Sequence, residues 1–192
     1  TAKLNFRLGI DGIGTTPRIP IGGNKNPDNI FRGLNFRIYN AATNALSYTG
    51  PNIAFTYNPR SEKFELLYEL PSVANVADGL YNIYVDGPRF LRTQYPGSFS
   101  IKAGQTTNLT SNNFYLITGN INDTDLSENK IDLMDYNVLL SCSIYSQDLT
   151  ACEVDPNYED YSDLNDDGKV DEDDFTLWLK ELANQEGSIL PD

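Results

Sequence analysis

The 192-residue chain has no histidine, one methionine, one tryptophan and two cysteines. Without histidine it lacks the side chain that most often serves as a general base near neutral pH, and it cannot build a His-based zinc site. It carries neither a Gly-x-Ser-x-Gly elbow nor a glycine-rich phosphate loop. The expectation is therefore a protein that is not an enzyme. Paired carboxylates could in principle serve a glycosidase, but most acidic residues fall in one region where another chemistry explains them. No apolar run is long enough to cross a bilayer as a helix, so no membrane span is expected. Thr1 and the lack of a signal-peptide pattern fit a processed chain. Basic residues are scarce in the last part of the chain. Residues 1–118 hold 11 Lys and Arg against 7 Asp and Glu, whereas residues 119–192 hold 3 against 20, and the whole carries a net charge of −13. Such a step predicts two domains, 1–118 and 119–192. So acidic a chain is a poor partner for nucleic acid, and no nucleic-acid partner is expected.

The acidic region contains one ordered pattern. In Asp163-Leu164-Asn165-Asp166-Asp167-Gly168-Lys169-Val170-Asp171-Glu172-Asp173-Asp174, oxygen-bearing side chains stand at positions one, three, five, nine and twelve: Asp163, Asn165, Asp167, Asp171 and Asp174. A hard cation such as calcium takes about 6–8 oxygen ligands, and this spacing wraps such a set around one point. Gly168 at position six allows the sharp turn, where a positive φ is cheapest for glycine. Lys169 at position seven would contribute its backbone carbonyl. Val170 at position eight would face a core. A helical pattern follows at once with Phe175, Leu177, Trp178, Leu179 and Leu182, and is expected to end near Gly187 as a C′ residue.

The loop departs from the EF-hand pattern at position twelve, where Asp174 replaces the usual bidentate Glu. A calcium loop with Asp at that place, running straight into one helix, resembles the dockerin family. Dockerins carry two such segments, and a second copy lies upstream. Lys130 to Tyr136 lines up with Lys169 to Phe175, and Asn120 to Asp123 with Asp163 to Asp166, with four extra residues between the blocks. The resemblance implies a second calcium held by Asn120, Asn122, Glu128, the Lys130 carbonyl, Asp132 and Asp135. Asp125 is the alternative to Glu128, and in a rival register Asp123 and Asp125 replace Asn120 and Asn122. Asn129 stands where Gly168 stands in the other loop, and Asn tolerates the left-handed region better than most residues. Two calcium ions are thus the expected cofactors. Family dockerins bind cohesins, often through loop positions ten and eleven. Here these are Leu133-Met134 and Glu172-Asp173, one pair apolar and the other acidic. Leu133 and Met134 are therefore candidate partner contacts, the alternative being that they pack on the front domain.

Cys142 and Cys152 flank the linker between the two copies. Calcium loops of this kind work at extracellular calcium levels, where disulfides persist, so a Cys142–Cys152 bridge is expected, with unlinked thiols as the alternative. The matching location is extracellular or at the cell surface.

The front region reads as an antiparallel β-sandwich, giving a chain that is mainly β plus a small α domain. Ala2, Leu4, Phe6, Leu8 and Ile10 alternate with Lys3, Asn5, Arg7 and Gly9, which is the period of a half-buried strand. Residues 11–28, rich in Gly, Pro, Asn and Thr, read as a loop. Further strands are expected at Leu34–Ile38, Ile53–Tyr57, Phe64–Leu70, Leu80–Val85, Arg89–Thr93, Ser98–Ile101, Thr106–Leu109 and Asn113–Ile117. Short strands with turn signals at this spacing argue for a sandwich. Asp78 to Leu109 is similar to the Ig-like or prealbumin-like modules that precede dockerin repeats in secreted bacterial proteins.

The function these readings support is protein–protein assembly, stabilised by calcium, with a cohesin-like receptor or further copies of the chain as partner. One sharper form is a fibre in which the apolar face of the first strand, Leu4, Phe6, Leu8 and Ile10, completes a neighbour's sheet, since bonding to an exposed edge fixes both affinity and register. The alternative is an ordinary first strand in its own sandwich. A carbohydrate-binding module is the competing reading from another class, because the 12 tyrosines could form sugar platforms.

Overall fold

The computed structural model describes residues 1–15, 23–74, 76–122, 129–143, 152, 157–184 and 187–191. Nine strands form the bulk of it: β1 (Lys3–Ile10), β2 (Phe31–Asn40), β3 (Leu46–Asn58), β4 (Lys63–Glu69), β5 (Gly79–Gly87), β6 (Arg89–Gln94), β7 (Phe99–Ile101), β8 (Thr106–Leu116) and β9 (Thr118–Asn120). Among the described residues three named helices follow: α1 (Leu133–Cys142), α2 (Tyr158–Ser162) and α3 (Glu172–Glu181). None of the described helices is long and apolar enough to cross a membrane.

The strands hydrogen-bond in the order β8-β1-β4-β3-β2-β5-β6-β9, with β7 paired to β5 off this path. The sheet curls over one core, as a sandwich does. Leu4, Phe6, Leu8 and Ile10 of β1 and Leu34, Phe36 and Ile38 of β2 are all fully buried there. Phe6 sits 5.0 Å from Phe36 and 5.4 Å from Phe55 between ring centroids, near the centre of this core. The similar Leu-Asn-Phe-Arg runs of β1 and β2 thus serve the same kind of half-buried surface.

Four features differ from the sequence expectations. The pairing of β1 with β8 is parallel, while the other strand pairings are antiparallel. The two strands expected at Thr106–Leu109 and Asn113–Ile117 are one strand, β8. Its register against β1 jumps from Arg7↔Thr110 to Gly9↔Tyr115, so the polar residues between them bulge without ending it. The last helix stops at Glu181 and tightens into a 3₁₀ turn, Leu182–Asn184, so Gly187 is not its C′ residue. Instead the Gly187 N–H donates to the Asn129 carbonyl at 3.0 Å, tying the tail back. Finally, β1 lies inside its own sheet, bonded to β4 on one edge and β8 on the other. The face of Leu4, Phe6, Leu8 and Ile10 is the chain's own core, so of the two readings of this strand the ordinary first strand is the one seen here, not the one that completes a neighbour's sheet. Burying each of these side chains contributes about 1.5–3 kcal/mol, which holds the strand at home.

A second core begins where the charge balance changes. Ile121, Ile131, Val138, Leu139, Leu164, Val170, Leu177 and Trp178 pack together there, and Leu91 of β6 joins them. β9 crosses this point and pairs with β6. The two regions therefore share both a strand ladder and apolar packing.

Candidate metal loops and docking face

The second loop is built by its own carboxylates. Asp163 follows α2, and its two carboxylate oxygens accept the N–H groups of Asp167 (3.1 Å) and Gly168 (2.8 Å). Gly168 takes φ +84°, the conformation its place in the loop demands. Asn165 Oδ1 accepts from Asp167 N–H at 3.0 Å, and Asp167 Oδ1 from Lys169 N–H at 3.1 Å. Asp171 caps α3 by accepting from Asp173 N–H at 3.0 Å, while Asp174 reaches back to Asp171 N–H at 2.8 Å. The other Asp174 oxygen takes Leu164 N–H (2.7 Å) and Asn165 N–H (3.2 Å), closing the loop on itself. These side chains turn the chain through the shape that the ligand spacing implies.

The first loop repeats the same closure at its helix end. Asp132 caps α1 through Met134 N–H at 2.7 Å, and Asp135 takes Asp132 N–H at 2.8 Å and Asn122 N–H at 2.8 Å. The cap residues Asp132 and Asp171 adopt nearly the same backbone, φ/ψ of −143/−168° and −133/−160°. Tyr136 and Phe175, equivalent in the alignment, meet edge to face with centroids 6.3 Å apart. Asn120 is buried in β9, and Asn122 Oδ1 accepts from the Tyr158 hydroxyl at 3.0 Å. Lys130 Nζ lies 3.1 Å from Asp132. Glu128 and its alternatives Asp123 and Asp125 lie outside the described residues. The turn that would place Asn129 in the role of Gly168 lies outside the described residues; the Asn129 side chain itself ties the loop end to the sandwich and the tail, Oδ1 accepting from Arg92 N–H at 2.6 Å and Nδ2 donating to the Ser188 carbonyl at 3.2 Å.

Electrostatics single out two groups. Asp174 is fully buried, and burial pushes its carboxyl up to about 7 against the opposing pull of its N–H partners, with Asp163 adding repulsion. Asp135 is likewise pushed up to about 6 by burial. Each receives N–H donors but no ion pair among the described residues, so each is a buried carboxylate whose charge a cation would offset. Among the described residues, no group of three or more Asp, Glu, Cys or His side chains is gathered tightly enough to hold a metal as it stands. The loop closures and the uncompensated carboxylates are what fit a divalent ion here.

Residues that the spacing did not single out fasten the second loop to the sandwich. Asp166, at loop position four, is buried with φ +61°. Its carboxylate pairs with Arg32 Nη2 at 2.7 Å and accepts the Asn29 N–H (3.0 Å) and Nδ2–H (2.9 Å). Its carbonyl takes Asp28 N–H (3.0 Å) and Asn24 Nδ2–H (2.7 Å). Arg89, at the start of β6 with φ +65°, donates from Nη1 to the carbonyls of Asp160 (2.6 Å) and Asp163, capping the last turn of α2. Position four contributes no ligand in the loop pattern, so spacing alone is silent about Asp166.

The two helices present different outer faces. Leu133, Met134 and Leu140 of α1 are 69%, 54% and 48% exposed. Leu133 and Met134 are therefore largely open to solvent. The equivalent start of α3 exposes Glu172 and Asp173. Cys142 and Cys152 form a disulfide behind α1.

No protein-family model matches the chain, and no curated protein matches it. Solved structures do. A chain of an N-terminal interface mutant of the type II cohesin–X–dockerin complex from Acetivibrio cellulolyticus is similar, with TM-score 0.52 and 16% identity over 99% of this chain and 98% of that one. A chain of the C-terminal interface mutant of that complex gives 0.51 and 16% over the same shares. At this identity the likeness shows the fold alone: a mainly β chain with a few short helices, similar in fold to chains of cohesin–dockerin structures.

Proposed function

We propose that the chain is a non-enzymatic docking module of the extracellular space or cell surface, stabilised by two calcium ions, that binds a cohesin-type receptor through the outer face of α1. The observation that carries the reading is the exposed apolar stripe of Leu133, Met134 and Leu140 on the first of two matching loop-helix units. A helix whose apolar residues occupy both its core face and its water face leaves a surface suited to a partner. One calcium falls to Asp163, Asn165, Asp167, the Lys169 carbonyl, Asp171 and Asp174. The other falls to Asn120, Asn122, Glu128, the Lys130 carbonyl, Asp132 and Asp135. The ions would offset the buried charge of Asp174 and Asp135 and hold both helices at their caps. The resemblance of the loop-helix repeats to dockerins and the likeness to chains of cohesin–dockerin complexes support the choice of partner. β1 stays in its own sheet, since donating it to a neighbour would empty the chain's own core.

Calorimetric titration against a type II cohesin tests the reading. Binding is expected in calcium and lost in chelator, with the melting midpoint falling as the metal is withdrawn. Leu133→Asp with Met134→Asp should weaken binding at least about thirtyfold, as expected when two anchors of at least 1 kcal/mol each are removed from a docking patch. Undiminished binding by the double variant would sink the assignment of this face. A melting curve indifferent to chelator would sink the calcium assignment.

A further inference from the structure

The tyrosines that suggested sugar platforms are largely spoken for: Tyr39, Tyr57, Tyr81, Tyr84 and Tyr95 are buried in or against the sandwich. A different place has sugar-binding chemistry. Where α2 meets the sandwich, a cleft of about 230 Å³ opens between the start of β2, the bend of β3 and the start of β6. Its walls carry Arg32, Arg89, Asn52, Phe31 and, from α2, Asp160 and Tyr161.

The charges of this cleft are only partly used. Arg89 is 4% exposed, and while its Nη1 is spent on two carbonyls, its Nη2 is buried with no hydrogen-bond partner. No carboxylate among the described residues forms an ion pair with it. Arg32 gives Nη2 to Asp166, but its Nε is buried without a partner. A buried guanidinium donor left unpaired is costly, and a planar carboxylate is the ligand its fork matches best. Asn52 stands at φ +45° with its N–H given to Asn35, and its exposed carboxamide bonds nothing else among the described residues. Phe31 leaves an apolar ring 59% exposed at the mouth.

We propose that this cleft binds an acidic sugar, a single uronate ring whose carboxylate faces Arg89 and Arg32. The volume is below the roughly 300–1,000 Å³ of sites for drug-sized ligands, which limits the occupant to about one ring. Asn52 both donates and accepts, as ring hydroxyls require. Asp160 on the α2 side accepts from a hydroxyl and repels the carboxylate, which fixes the orientation. Phe31 offers a flat face to the sugar's C–H groups. A peptide's terminal carboxylate would use the arginines but has no need of this amide, acid and aromatic arrangement. The site is separate from the α1 face and does not depend on docking there.

The test is protein-observed NMR titration of the full chain in calcium with glucuronate, galacturonate, glucose, acetate and a short peptide with a free C-terminus. Glucuronate or galacturonate is expected to shift the resonances around Arg89 and Phe31, with binding weakened by salt. Asn52→Asp adds a negative charge while keeping a residue that tolerates φ > 0, and should weaken uronate binding about tenfold, as a like charge at a binding rim does. Phe31→Ala should weaken it without disturbing the core, because the ring is exposed. No uronate response at millimolar concentration overturns the proposal. So does equal binding of glucose, acetate or the peptide, or an Asn52→Asp variant that binds as the parent does.

Discussion

Asp166 is where the acidic loop and the sandwich become one structure, and replacing it with Asn tests that directly. Asn keeps the side-chain shape, tolerates φ +61° and leaves the carbonyl bonds to Asp28 and Asn24 in place. What disappears is the charge. Arg32, whose side chain is 12% exposed, then loses its 2.7 Å partner. Breaking a buried ion pair by removing one member costs about 3–5 kcal/mol, and the residual exposure of Arg32 argues for the low end, about 3 kcal/mol. For a chain of this size about 2–4 °C accompanies each kcal/mol, so the midpoint should fall by about 6–12 °C in calcium. Position four supplies no ligand, so the oxygen set itself survives. If docking the loop preorganises it, calcium affinity should nevertheless fall about tenfold, within the 1–3 kcal/mol typical of coupled sites. A calcium titration by calorimetry reads this, and the Arg32→Met companion should add little to the Asp166→Asn effect because the two changes remove the same pair. An Asp166→Asn chain that melts within about 0.5 kcal/mol of the parent refutes the weld. Unchanged calcium affinity refutes the coupling.

Removing the bridge with Cys142→Ser and Cys152→Ser should cost about 2–3 kcal/mol, since the bonded residues are close in sequence and the closed loop is short. Intact mass under non-reducing conditions establishes the bond, and an unchanged melting midpoint in the double variant would show that it contributes nothing. Glu65 supplies a pH dependence. Burial opposes its charge, but Asn58 (2.9 Å), Ser61 (2.8 Å) and Arg7 (2.9 Å) prevail and hold its carboxyl below the usual range. A depressed native pKa gives stability that is present above the unfolded value, about 4.3, and lost as pH falls through the native one. The parent should therefore lose more stability than Glu65→Gln on acidification below about pH 4.3. Parallel acid melts of the two proteins check this, and identical slopes would refute it.

The placement of β1 in its own sheet shows where sequence reading stops. Period-two alternation from Lys3 to Ile10 specifies a strand and the face it buries, because each side chain's direction follows from the pleat. The alternation is silent about which sheet receives that face, since an own core and a neighbour's core present the same apolar surface. Only the ladders to β4 and β8 decide it. The single strand β8 was hidden for a related reason. A bulge breaks the alternation locally, and the break reads as a turn.

By itself the sequence determined the turn and helix starts of the acidic loops, because residue spacing, the glycine at position six and the helix caps are all local. Gly168 at φ +84° and the paired closures by Asp174 and Asp135 follow from residues within a few positions of one another or from a repeated pattern. The bridge was legible too, given only two cysteines. Tertiary structure alone decided what lies between the regions. Asp166 meets Arg32 across more than a hundred residues, Arg89 reaches the end of α2, and the Asn129 side chain meets the backbone of Arg92. Those contacts depend on how two cores pack against each other, and no periodicity or spacing within a single segment carries that information.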